Sequence, residues 1–108
     1  MYNSLDEMDK DERSLLLFLE TQATDYGGLV DARHMNDEDM RIVEQWVEDG
    51  FVEFGRVCFE DVERLSGRRN VTNWVYLSAE AWGLAHSERH ARAKRMWDKR
   101  TWSKTEEL

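Results

Sequence analysis

His86 and His90 stand four residues apart, the separation that sets two imidazoles on one face of a helix and lets them share a metal ion. The glutamate of a His-Glu-x-x-His site is missing, because Ser87 follows His86. The pair therefore reads as two polar surface histidines, and His34 as a surface or helix-junction residue. Cys58, the single cysteine, would complete a ligand set only if its segment folded back. In a β-prone stretch it reads as a small buried apolar side chain. Gly27-Gly28 lacks the neighbouring Lys-Ser/Thr that completes a phosphate-cradling loop. The many carboxylates gather at helix starts, where capping and the helix dipole account for them. No nucleophile–base pair stands out. The chain is not read as an enzyme, and neither a metal nor a cofactor is expected.

The elements that carry these residues must fit in 108 residues, which favours one domain over residues 1–108. Hydrophobic residues are 41% and charged residues 35%, and five Trp, three Tyr and four Phe argue against a disordered chain. The longest apolar run, Leu15-Leu16-Leu17-Phe18-Leu19, is far below the ~20 residues of a membrane span. The first seven residues have neither the basic start nor the apolar stretch of a signal peptide. No membrane association and a cytoplasmic location are expected. The net charge of −8 conceals a split: residues 1–63 hold 18 acidic against five basic side chains, whereas residues 86–104 hold seven basic against two acidic. Either the two regions neutralise each other, within one fold or across a dimer, or a basic surface is reserved for a partner.

The spacing predicts a first helix from about Leu5 to Asp25, with an acidic opening and an apolar stripe of Leu15, Leu16, Phe18, Leu19 and Ala23. Gly27-Gly28 ends it, and residues 29–35 read as a brief helix or turn. A helix over about 37–49 has both ends marked: Asn36 as N-cap, Asp37, Glu38 and Asp39 in the first turn, Gly50 after the last turn. Its buried side draws on Met40, Val43 and Trp46 or Val47. From Phe51 the pattern alternates, and residues 51–59 with 71–77 read as an antiparallel hairpin. Its polar connection, residues 60–70, has room for a helical turn at 61–65 and a tip at Ser66-Gly67-Arg68-Arg69-Asn70. Ser78 caps a long basic helix, over about 79–104, beyond whose firm part near Lys99 the end is expected to fray. Trp46, Trp74 and Trp82 match core periodicity.

Helix, short helix, helix, hairpin, helix is the order of a winged helix-turn-helix domain. The segments Asp39-Met40-Arg41-Ile42-Val43-Glu44-Gln45-Trp46-Val47-Glu48-Asp49-Gly50-Phe51-Val52 and Trp74-Val75-Tyr76-Leu77-Ser78-Ala79-Glu80-Ala81-Trp82-Gly83 carry the likeness. Over about residues 9–86 the chain resembles MarR- or PadR-like regulators, and in composition it is similar to small phage-encoded proteins. The resemblance implies an α+β, mainly α fold, with a two-stranded wing and a long C-terminal helix. It also implies a transcriptional regulator that contacts double-stranded DNA with the third helix in the major groove and the wing beside the backbone.

Under that resemblance the DNA-contacting residues would be Arg33, Arg41, Gln45, Arg64, Arg68 and Arg69. The family's habit of pairing through terminal helices implies a homodimer joined by Leu15, Phe18, Met96, Trp97 and Trp102. The third helix departs from the pattern. It carries Asp37, Glu38, Asp39, Glu44, Glu48 and Asp49 against Arg41 alone, and carboxylates oppose a line of phosphates. An acidic interaction module that binds a cationic protein surface is the competing expectation, for example a small phage inhibitor of a host nucleic-acid-binding protein.

Overall fold

The computed structural model describes residues 2–58 and 71–107, with side chains through Lys99. Its architecture is α+β and mainly helical: helices α1 (Lys10–Asp25), α2 (Asp37–Glu48) and α3 (Ala79–Glu107), with strands β1 (Leu29–Val30), β2 (Val52–Arg56) and β3 (Asn73–Leu77). The hairpin connection, with its expected turn and tip, lies outside the described residues. Among the described residues no helix is long and apolar enough to cross a membrane.

The expected first helix is split. Residues Leu5–Glu7 form a 3-10 turn, and Asp9 then takes an extended backbone and starts α1 afresh. The reason is a reciprocal cap. The Glu12 N–H donates to Asp9 Oδ1 at 2.8 Å, and the Asp9 N–H donates to Glu12 Oε1 at 3.0 Å. At the far end Gly27 and Gly28 take positive φ, and the Gly28 N–H donates to the carbonyl of Gln22 at 2.9 Å.

Residues 29–35 are a strand followed by a turn. Leu29 and Val30 pair with Trp74 and Asn73, and Ala32–His34 form a single 3-10 turn. The described sheet is therefore three-stranded and antiparallel, in the order β1-β3-β2, and not a two-stranded ribbon. The free edge of β3 explains the addition: its backbone groups need partners, and Val75 N–H and Thr72 N–H donate to Gly28 and Val30 at 2.8 and 2.9 Å. β2 and β3 pair as expected, with Val52 opposite Leu77 and Phe54 opposite Val75.

The ends of α2 match their sequence signals. Asn36 Oδ1 accepts the Asp39 N–H at 2.7 Å, and Gly50 has φ +77°. Val43 and Trp46 face inward, whereas Val47 is exposed. The core joins Leu15, Leu16 and Leu19 of α1 to these two, to Val30, Val52, Val75 and Leu77 of the sheet, and to Ala81 and Ala85 of α3. Trp46 is its largest fully buried side chain, edge-on to Phe51 at 5.1 Å between centroids. Such an aromatic contributes about 3–5 kcal/mol relative to alanine.

Trp74 and Trp82 are not core residues; each is 40% exposed. In Trp74-Val75-Tyr76-Leu77 every side chain is apolar or aromatic, so alternation alone does not say which pair faces inward. Val75 and Leu77 do, and Trp74 lies across its neighbour Gly55, where a Cβ would come within 2.7 Å of the indole. On α3 the small residues Ala81 and Ala85 let the helix approach closely, which turns Trp82 outward.

The long helix extends past its expected end near residue 104, to Glu107. At 1.5 Å per residue its 29 residues span roughly 43 Å. It runs antiparallel to α1: Arg89 reaches Glu20, Thr21 and the carbonyl of Leu17, and Arg92 reaches Ser14. The acidic and basic regions are thus partly neutralised within the fold.

Candidate functional site

Helix α2 is held by its cap, its C-terminal glycine and the burial of Val43 and Trp46. These constraints fix which of its side chains meet solvent. Asp37, Arg41, Glu44 and Glu48 recur at i, i+4, i+7 and i+11, and all four are exposed. Gln45 and Asp49 flank the same stripe. Six carboxylates and one guanidinium occupy residues 37–49.

The two side chains of α2 expected to read DNA are both engaged by carboxylates of their own segment. Arg41 pairs with Glu38 through Nη2. Gln45 Nε2 donates to Asp49 Oδ2 at 3.1 Å. Arg33, just before α2, is held in the same manner: its Nε and Nη2 donate to the two carboxylate oxygens of Asp31 at 3.0 and 2.8 Å. Hydrogen bonds from the Arg33 side chain outweigh the burial of Asp31, and its backbone N–H and the nearby positive charges add to them. They hold that carboxyl down at about 2. Arg64, Arg68 and Arg69 lie outside the described residues.

The residues expected at a dimer contact separate. Leu15 is 3% exposed and packed inside the chain's own core, so it has no surface to offer a second copy. Phe18 is half-buried against that core. Met96 and Trp97 are 55% and 51% exposed on the outer part of α3. The side chain of Trp102 lies outside the described ones.

Cys58 is exposed, not buried: β2 ends at Arg56, two residues before it. His86 and His90 are exposed on α3, and His34 is exposed beside Asp31. Among the described residues no group of three or more His, Cys, Asp or Glu side chains is placed to hold a metal ion.

Sequence reasoning missed Glu88. It reads as one acid among the cations of the last helix, yet it is 1% exposed and stands below Arg92 and Arg95. The signal was available in the spacing, since 81, 85, 88 and 92 fall on one helical stripe that begins with the buried alanines. Tyr2 was missed as well. Its hydroxyl bonds Glu12 and accepts the indole N–H of Trp46, so the N-terminal residues reach α1 and α2.

No family model, curated protein or solved structure matches the chain.

Proposed function

We propose that the chain is a winged-helix interaction module that presents the exposed stripe of α2 to a cationic surface on another protein. The order of elements supports the winged-helix part: a helix, a turn shortened to 3-10, a second helix, a hairpin and a long helix. One observation carries the functional part. The outward face of α2 offers Asp37, Glu44 and Glu48 to a partner, while Arg41 and Gln45 are already held by Glu38 and Asp49. Anchoring a duplex there would set carboxylates against phosphates and require these pairs to open. A surface built to receive phosphates is complementary to such a face. The partner class is therefore a nucleic-acid-binding protein, and the effect is competition with its nucleic acid.

A second reading, DNA binding by the hairpin, draws on the β2–β3 pair, whose connecting segment contains Arg64, Arg68 and Arg69. A homodimer through Met96 and Trp97 suits either reading, because both side chains sit on the outward part of α3.

One titration separates the two. The chain is titrated with a labelled Arg/Lys-rich peptide and, in parallel, with a random-sequence duplex, across a salt series. The acidic reading expects peptide binding that weakens with salt and falls about tenfold or more when Glu44→Gln and Glu48→Gln are combined. Duplex binding that is lost with salt and with Arg68→Ala plus Arg69→Ala, and is indifferent to the α2 changes, overturns it in favour of the hairpin.

A further inference from the structure

Between the first turns of α1 and the middle of α3 lies a surface groove of about 550 Å³, within the usual range of small-molecule sites, about 300–1,000 Å³. Lys10 and Arg13 line it from α1, and Arg92 and Arg95 from α3, with Glu88 as the one carboxylate of its described lining. The groove therefore holds a local excess of three positive charges on a chain whose net charge is −8.

These cations lack the one-to-one pairing found elsewhere. Arg41 and Arg89 each hold a carboxylate of their own, Glu38 and Glu20. In the groove Glu88 serves two cations: its Oε2 accepts from Arg92 Nε at 2.5 Å and from Arg95 Nη2 at 3.5 Å. Arg13 is spent on backbone, donating from Nε to the Met8 carbonyl at 3.0 Å and from Nη2 to the Leu5 carbonyl. Lys10 is exposed and has no carboxylate partner among the described residues. Acidic side chains outnumber basic ones 23 to 15 in the whole chain, so the shortage of carboxylates is local to this groove. Cations gathered without matching counter-charges repel one another, and an anion held between them relieves that repulsion.

Glu88 does not compete for that place. It is 1% exposed, so it offers a ligand no carboxylate surface; its part is to draw two guanidiniums to one point. Arg92 spends Nε on Glu88 and one Nη2 bond on Ser14 Oγ, at 3.3 Å, out of the five N–H donors of a guanidinium. The apolar member of the lining, Met8, is 3% exposed, so an aromatic or alkyl body would find no apolar side chain to cover.

We propose that this groove binds a compact anion with two phosphate groups and no apolar body, of the class of inorganic diphosphate. The phosphate oxygens lie among Lys10, Arg92 and Arg95, where the guanidinium fork and the ammonium both suit them. A single phosphate supplies at most about two negative charges and leaves part of the local excess unmet; a second phosphate meets it. The groove lies on α1 and α3, so this inference is independent of the function proposed for α2.

The test is calorimetric titration of the full chain with inorganic diphosphate and inorganic phosphate, and in parallel with a random-sequence duplex. Diphosphate is expected to bind about tenfold or more tightly than phosphate. Lys10→Gln combined with Arg95→Gln, both at exposed side chains, is expected to weaken diphosphate about tenfold or more. Lys94→Gln, at an exposed side chain beside Arg95 but outside the lining, is expected to leave it unchanged. Equal affinity for the two anions overturns the proposal, as does the absence of binding at millimolar diphosphate. An equal loss in Lys94→Gln overturns it by reducing the attraction to the general charge of α3. Duplex binding that falls with Lys10→Gln and Arg95→Gln, without binding of free diphosphate, overturns it too, by making the groove a contact for a nucleic-acid backbone.

Discussion

The guanidinium of Arg33 grips the carboxylate of Asp31 with a forked pair of hydrogen bonds, 3.0 Å from Nε to Oδ1 and 2.8 Å from Nη2 to Oδ2. Asp31 is buried at the end of β1 and also accepts the Arg33 backbone N–H, so one carboxylate holds both the 3-10 turn and the cation within it. The arginine is a brace for the approach to α2.

This brace predicts an acid-sensitive contribution to stability. The Asp31 carboxyl is lowered from 3.8 to about 2. Because the folded value is the lower one, its contribution is present above about pH 4 and is lost as pH falls toward 2. Unfolding followed from pH 5 to 2 should show a steeper loss in the unaltered chain than in Arg33→Gln. Parallel curves would show that the fork contributes nothing.

At the alkaline end Tyr2 is expected to ionise late. Burial, followed by donation to Glu12, pushes its hydroxyl up to about 12 from 10.0, with the Trp46 N–H acting in the opposite direction. Here the folded value is the higher one, so the contribution is complete below pH 10 and disappears as pH rises through 12. Ultraviolet titration should contain a late tyrosinate step that Tyr2→Phe removes.

Two adjacent glycines should respond differently to alanine. Gly27 has φ +63° and open space where a Cβ would sit, so Gly27→Ala costs only the left-handed backbone, about 1–2 kcal/mol. Gly28 has φ +87°, and its Cβ would lie 2.8 Å from the carbonyl oxygen of Val75. Gly28→Ala should therefore cost more than Gly27→Ala, with part of the loss from the β1–β3 pairing. Urea unfolding of the two variants, together with hydrogen exchange at Val75, measures the difference.

Asn36→Ala should lower stability by about 1 kcal/mol through loss of the side-chain bond to the Asp39 N–H. Asn36→Asp should retain most of it, since either side chain offers the accepting oxygen. Equal midpoints for Asn36→Ala and the unaltered chain in urea would show that the cap is dispensable.

What the sequence determined by itself was local. Asn36 and Gly50 bracket α2 because caps act on backbone groups within a few residues, and the β2–β3 pairing follows from short-range alternation. What only the tertiary structure decided depends on neighbours distant in the chain. β1 exists because β3 offers a free edge more than 40 residues later, and Trp74 lies outward because Val75 and Leu77 take the side facing α1 and α3. Arg33, Arg41 and Gln45 read as available contacts in one dimension and are occupied in three, by carboxylates a few residues away whose orientation the backbone turn sets. Glu88 shows the division most plainly. Its charge and its spacing from Arg92 and Arg95 are written in the chain, but its burial follows from the packing of α3 against α1, which no local interaction specifies.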